Sequence, residues 1–204
     1  MTSMPTARRG RPRQFNRDQA LRKAMHVFWD QGFEATSLGD LTCALGLTAT
    51  SIYAAFGSKE LLFKEAVELY VADDGNATWR ALMRPGHCRD ALRAMLYDTV
   101  TVMCNTSTPR GCLVVMGDRG VSSSGEAIKV YLQQWRAKAR DQLRMRFARA
   151  INEGELAPAT DAAAVAGMVM VFLNGISVES ADGVPEQDLL AAVDVFLSTW
   201  RWDG

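Results

Sequence analysis

Apolar residues recur along this chain at intervals of three and four, and the runs are separated by Gly, Pro and small hydroxyl residues. That period sets one apolar stripe along a helix face, so the sequence predicts helices throughout. Asn16 with Gln19 forms a start signal, followed by Ala20, Leu21, Ala24, Met25, Val27 and Phe28 up to Gly32. Ser37 with Asp40 starts a short helix carrying Leu38, Leu41 and Leu45, which stops at Gly46. Thr48 caps a third, with Ile52, Tyr53 and Phe56 before Gly57. Ser58 opens a fourth through Leu61, Leu62, Phe63, Val67 and Tyr70, expected to reach the low 80s.

After Pro85-Gly86 a helix is expected over 88–104, then a loop over 106–110 and a short apolar piece over 111–121. Ser122 to Ser124 read as the cap of a long helix with Ile128, Tyr131, Leu132, Trp135, Leu143, Phe147 and Ile151 on its stripe. Asp161 opens a helix to about Ala181 that is apolar all round, and Pro185 opens the last, ending near Trp200. No strand pattern and no internal repeat is present, so the expected fold is all-α.

Composition narrows the function classes. With 204 residues, 48% of them apolar, and no net charge, the chain can bury a core and is not a disordered polymer. The longest apolar stretch, Ala162 to Leu173, falls short of the roughly 20 residues a membrane span needs. No export signal follows Arg8, Arg9, Arg11 and Arg13, and the four cysteines lack C-x-x-C spacing, which reads as reduced thiols of a cytoplasmic protein. The zero net charge hides a segregation: basic residues outnumber acidic ones 9 to 5 over residues 1–64, while acidic outnumber basic 8 to 1 over 155–204. A basic end on an otherwise acidic chain is suited to phosphates.

Two short helices joined by Leu45-Gly46-Leu47 read as a helix-turn-helix, whose second helix presents Thr48, Ala49, Thr50 and Ser51 to a major groove. These side chains are small enough for close backbone approach, and three carry hydroxyls for phosphates or base edges. Thr36, Ser37 and Ser58 sit at helix N-termini, where free N–H groups favour phosphate, and Lys59 adds a positive charge.

The run Gly32-Phe33-Glu34-Ala35-Thr36-Ser37-Leu38, then Leu41, Leu45-Gly46-Leu47-Thr48, Ile52-Tyr53 and Phe56-Gly57-Ser58-Lys59-Glu60-Leu61-Leu62-Phe63, resembles the TetR (tetracycline repressor) family signature over residues 16–64. The resemblance implies an all-helical homodimer that binds a palindromic operator on double-stranded DNA and releases it when a small effector occupies the C-terminal domain. It implies phosphate contacts from Thr36 or Ser37 and from Lys59, a backbone contact from Tyr53, and base reading by Thr48 to Ser51. Leu45 and Ala55 depart from the family pattern, and no contact is assigned at position 55. The organisation implied is a basic arm over 1–15, a DNA-binding headpiece over 16–64 and a sensing and dimerisation domain over 65–204.

Arg9-Gly10-Arg11-Pro12-Arg13 has the form of an AT-hook core, an extended arginine clasp for a narrow minor groove; the competing reading is a solubilising tail. The all-round apolar helix suggests a four-helix dimer interface involving Ala163, Ala166, Gly167, Phe196, Leu197 and Trp200, set against a purely intramolecular core. Trp79, Met83, Met95, Met103, Met116, Tyr131 and Trp135 are candidates for an adaptable effector pocket, set against plain core packing, and Asn174 reads either as a polar anchor for the effector or as a bond across the dimer.

Cys112 follows Arg110-Gly111, where a cation and a helix start would lower a thiol pKa. A redox- or electrophile-sensing regulator and an all-helical thiol enzyme therefore stand as alternatives, set against an inert buried cysteine, since free Cys is among the most buried residue types. His26 and His87 are far apart in sequence, no metal motif or cofactor loop occurs, and 120–125 lacks the strand a nucleophile elbow requires, so no cofactor or enzyme activity is expected. The seven basic residues between Lys129 and Arg149 read as the solvated face of the long helix.

Overall fold

The computed structural model describes residues 16–73, 75–118 and 125–200. Among the described residues all regular structure is helical: α1 (Arg17–Gln31), α2 (Leu38–Leu45), α3 (Ala49–Phe56), α4 (Lys59–Ala72), α5 (Asn76–Leu82), α6 (Cys88–Met103), α7 (Leu113–Met116), α8 (Glu126–Asn152), α9 (Ala162–Ala181) and α10 (Glu186–Ser198). Short polar side chains set several starts. Asn16 Oδ1 accepts the Gln19 N–H at 3.0 Å, and Asp161 Oδ1 accepts those of Ala163 and Ala164. Each such cap satisfies an orphan N–H and contributes about 1 kcal/mol.

Two apolar clusters form the interior. In the first, the Phe63 ring meets Phe28 and Phe33 edge-on at 5.1 and 5.2 Å, and Trp29 meets Tyr70 at 4.7 Å. This cluster joins α1 to α4 and also takes in Leu113 from α7 and Ile128 and Leu132 from α8. The second packs α5, α6, α9 and α10 around Leu143, Phe147 and Ala150 of α8. Phe172 of α9 and Phe196 of α10 stack at 4.2 Å with planes 6° apart.

Several expectations change. The fourth helix ends at Ala72, not in the low 80s. The Asp73 N–H bonds Leu69 O, Gly75 N–H bonds Tyr70 O, and Arg22 holds Asp73 at 2.8 Å, so the chain folds back on its own last turn. Gly75 fits this turn because a Cβ there would stand 3.3 Å from Tyr70 O. The short apolar piece over 111–121 contains the single turn α7, and the cap expected at Ser122 to Ser124 lies outside the described residues. The basic face of α8 is not wholly solvated. Arg146 is buried with its Nη2 donating to Gly86 O at 2.9 Å, and Arg136 pairs with Asp118 at 2.9 Å.

Helix α9 is long and apolar enough by length and composition to cross a membrane, because Gly175, Ile176, Ser177 and Val178 extend the run beyond Leu173 and Glu179 is the helix's single charge. It is packed instead against α6, α8 and α10, with Ala166, Val169, Met170, Leu173 and Ile176 buried. Its opposite face is exposed at Met168, Val171 and Val178. Ala166 and Leu197 therefore point into this chain's own core and not toward a partner, because the buried stripe of each helix includes them. Phe196 and Trp200 are half-buried on the same core, while Ala163 is exposed and Gly167 has no neighbour within 4 Å of where a Cβ would stand.

Candidate nucleic-acid interface and adjoining cavity

Ser37 and Asp40 form a reciprocal capping box: Ser37 Oγ accepts the Asp40 N–H at 3.1 Å, and Asp40 Oδ2 accepts the Ser37 N–H at 2.8 Å. The Ser37 hydroxyl, which also donates to Asp40 Oδ2, and then the Ser37 N–H, with a lesser pull from Lys59, hold the Asp40 carboxyl below its ordinary value. Helix α2 ends at Gly46 in the left-handed region (φ 67°, ψ 33°), which lets the chain turn sharply into Thr48. Thr48 Oγ1 accepts the Ser51 N–H at 3.2 Å and lies 2.9 Å from Ser51 Oγ. Ile52 and Phe56 bury one side of α3. Thr48, Thr50 and Ser51 remain exposed on the other, Ala49 is half-buried, and Tyr53 is 43% exposed.

This geometry removes one expected phosphate contact. Thr36 is buried, and its hydroxyl donates to Gly32 O at 2.7 Å, which locks the turn after α1. Ser37 is exposed but donates its hydroxyl to Asp40 Oδ2 at 2.6 Å. Lys59 Nζ rests 4.5 Å over the Phe33 ring, and its partial burial lowers its pKa, with Glu34 pulling the other way.

Sequence reasoning missed Arg17. Its Nε donates to Ala55 O at 3.3 Å, its Nη2 to Glu65 at 2.7 Å, and its guanidinium lies 4.6 Å over Phe56. It pins the C-terminal end of α3 to α1 and α4, and the described chain begins one residue earlier. No local pattern signals such a contact across 38 residues. Arg9, Arg11 and Arg13 lie outside the described residues.

A cavity of about 220 Å³ lies below the headpiece. Of the proposed pocket residues, Trp79, Met95, Met103, Cys112, Trp135 and Asn174 line it. Met83 does not: it is 61% exposed beyond α5. Met116 is buried away from the cavity wall. Tyr131 is also outside; its hydroxyl donates to Lys64 O at 3.3 Å because the first turns of α8 face the headpiece and only the turns from Trp135 onward face the cavity. Tyr70, Thr99 and Met170 line it as well and were not anticipated, since each reads locally as plain core. Burial pushes the Cys112 thiol up, outweighing Tyr70 and Arg136, so the expected lowering by an adjacent cation is reversed. Burial likewise raises Cys104 and carries Cys88 up to about 11. Cys43 is exposed.

The segment 110–118 joins cavity to headpiece. On one side Trp29 Nε1 donates to Gly111 O at 3.1 Å, and Phe33 N–H donates to Gly117 O at 2.9 Å. On the other, Ser177 Oγ accepts the Cys112 N–H at 2.9 Å, and Arg136 Nη1 donates to Val114 O at 2.7 Å. Gly111 (φ 82°) sits against α9, where a Cβ would stand 2.8 Å from Ser177 O.

The profile for bacterial regulatory proteins of the tetR family matches residues 20–66, and that for the tetracyclin repressor-like C-terminal domain matches residues 88–182. The HTH-type transcriptional repressor ComR of Escherichia coli is 30% identical over 197 residues, covering 94% of this chain and 92% of that protein. The HTH-type transcriptional repressor BdcR of the same species is 32% identical over 108 residues, 53% of this chain and 55% of that one. Among solved structures, a cysteine mutant of the TetR family transcriptional regulator CifR complexed with 26-bp operator DNA superposes with a TM-score of 0.88. It is 39% identical over 94% of this chain and all of that one. The headpiece and the helical domain behind it thus answer to one origin, and the chain belongs to the TetR family of bacterial regulatory proteins, DNA-binding transcriptional regulators and not enzymes.

Proposed function

We propose that this protein is a homodimeric repressor acting in the cytoplasm, in which residues 16–64 read a palindromic operator and residues 65–204 dimerise and bind a small effector that releases the DNA. The observation that carries this reading is the 110–118 segment, bonded to α1 at Trp29 and to the turn that follows α1 at Phe33, while Cys112 and Val114 wall the cavity. A ligand that displaces this wall must either break those bonds or move α1, and with it the setting of α3. A coupling of 1–3 kcal/mol lowers operator affinity by about 5–150-fold.

In this reading Thr48, Ala49, Thr50 and Ser51 face the major groove, Ser37, Tyr53 and Lys59 hold phosphates, and Arg9, Arg11 and Arg13 enter the adjoining minor groove. CifR, the operator-bound relative, supports the DNA assignment. Ala164, Met168, Val171, Gly175 and Val178 recur on the outer face of α9 with a heptad-like spacing, and Val195 is exposed on α10. Such a stripe suits a two-fold four-helix contact, in which Ala163, Gly167, Phe196 and Trp200 stand at the margin.

Selection of random duplexes by the purified full chain, followed by sequencing, tests this reading. An inverted repeat with half-sites about one helical turn or its multiple apart is the expected result. Absence of any enriched repeat, or a species of 22.4 kDa where a dimer is required, would overturn it.

A second reading is favoured by the place of Cys112 on the cavity wall. Either an S–C bond forms with an electrophile in the cavity as the thiol proton passes to the leaving group or opened ring, or a peroxide oxidises the thiol to a sulfenic acid with release of water or an alcohol. The enlarged side chain displaces the 110–118 segment; burial keeps the thiol protonated until that step. Replacement of Cys112 by Ser separates the two readings. A response that survives the substitution belongs to reversible binding, and one that disappears belongs to the thiol.

A further inference from the structure

We infer that the effector is an uncharged, ring-bearing compound of about ten to twelve non-hydrogen atoms that donates one O–H or N–H hydrogen bond to Asn174. This inference rests on the cavity being the effector site.

The size follows from the volume. A dry cavity of about 150 Å³ admits a single benzene ring, so 220 Å³ admits a fused pair of rings or one ring with a short arm. The character of the wall follows from its side chains. Trp79 and Trp135 offer flat faces, and Met95, Met103 and Met170 offer deformable, polarisable ones that adapt to a planar guest.

The polarity follows from which groups on the wall are already engaged. Thr99 donates its hydroxyl to Met95 O at 2.7 Å, and Thr78 donates to Gly75 O at 3.0 Å, both turned back onto their own helix. Arg136 is committed to Asp118 at 2.9 Å and to Val114 O at 2.7 Å. Lys138 is exposed, with its Nζ 4.4 Å over the Trp135 ring. Neither cation therefore offers a buried carboxylate an uncommitted partner, and an unpaired buried charge is strongly disfavoured. Asn174 Oδ1 is different. It is buried on the wall, and no protein group among the described residues donates to it. A buried acceptor left unmade is costly, so a guest that donates there gains more than its shape alone provides.

The experiment is calorimetric titration of the full chain with 2-naphthol, naphthalene and 2-naphthoate, which share one ring system and differ at one position. The expected order is naphthol tighter than naphthalene by about five-fold or more, with naphthoate weakest. In Asn174→Leu the naphthol advantage disappears while naphthalene binding persists. Asn174→Ala serves the same comparison if the leucine variant does not fold. Naphthoate as the tightest binder would overturn the inference, as would equal affinity for naphthol and naphthalene in the unmodified chain, or binding of none of the three. Repeating the naphthol titration on the complex with selected duplex separates the two claims. Naphthol bound in the expected order with the duplex released supports both claims, whereas the same order with the duplex still held keeps the cavity's preference for a neutral donor and overturns its reading as the effector site.

Discussion

The indole of Trp29 donates to the carbonyl of Gly111 across a buried 3.1 Å contact, joining the first helix of the headpiece to the residue 82 positions further along the chain that precedes the cavity-lining Cys112. The Trp29 ring also meets Tyr70, itself a cavity-lining residue, at 4.7 Å. One side chain thus touches the headpiece core, one residue of the cavity wall and the chain neighbour of another.

Trp29→Phe removes the donor while keeping an aromatic ring. It leaves Gly111 O buried without its partner, at an expected cost of about 1–3 kcal/mol in a denaturant melt. Duplex affinity in the absence of effector should change little, and the loss of affinity on adding effector should shrink. An unaltered response would remove this bond from the coupling route.

Lys59 and Thr50 should fail in different ways on DNA. Lys59→Gln should weaken binding to all duplexes alike and reduce the slope of log affinity against log salt by about one. Thr50 is exposed near the start of α3, so Thr50→Ala should lower affinity for the selected site while sparing random sequence. Fluorescence anisotropy across a salt series reads both.

The capping box gives α2 an acid-sensitive start. The Asp40 carboxyl is held below its ordinary value of 3.8 by its bonds with Ser37, so folding favours the ionised form. That contribution is present above the ordinary value and is lost as pH falls through the lowered one. Asp40→Asn should flatten the acid limb of stability against pH; an acid limb unchanged from the parent would show the box to be inert.

Val171 is 74% exposed on α9 and makes no part of the chain's own core. Val171→Lys should therefore leave the monomer fold and its melting nearly intact while weakening self-association. Light scattering over a dilution series reads that loss, and operator affinity should fall with it.

Much of this was legible in the residues. Ser37, Gly46, Thr48 and Ser58 mark helix ends through interactions reaching at most five residues along the chain, and these stand where the caps and turns do. Thr36 shows the limit. Its place in the sequence suits a phosphate contact, yet its hydroxyl turns inward to Gly32, a choice made by packing and not by position. Tyr131 and Trp135 share one stripe on α8 but serve different compartments, since a helical period shows which face is buried and not what lies opposite. Asn174 was readable as a polar residue in an apolar helix, but its lack of a protein donor needed the surrounding elements in place. Arg146 read as solvent-facing because no run of residues shows that the loop at Gly86, 60 positions earlier, will meet Glu155 just past the end of α8 and enclose the cation between them.

Helix α8 carries Ile128 and Leu132 into one apolar cluster and Leu143, Phe147 and Ala150 into the other. Its 27 residues form a rod of about 40 Å shared by both compartments. Neither compartment can melt without exposing part of the other's lining. Differential scanning calorimetry should accordingly record one endotherm, and a headpiece excised at residue 64 should fail to hold its shape alone.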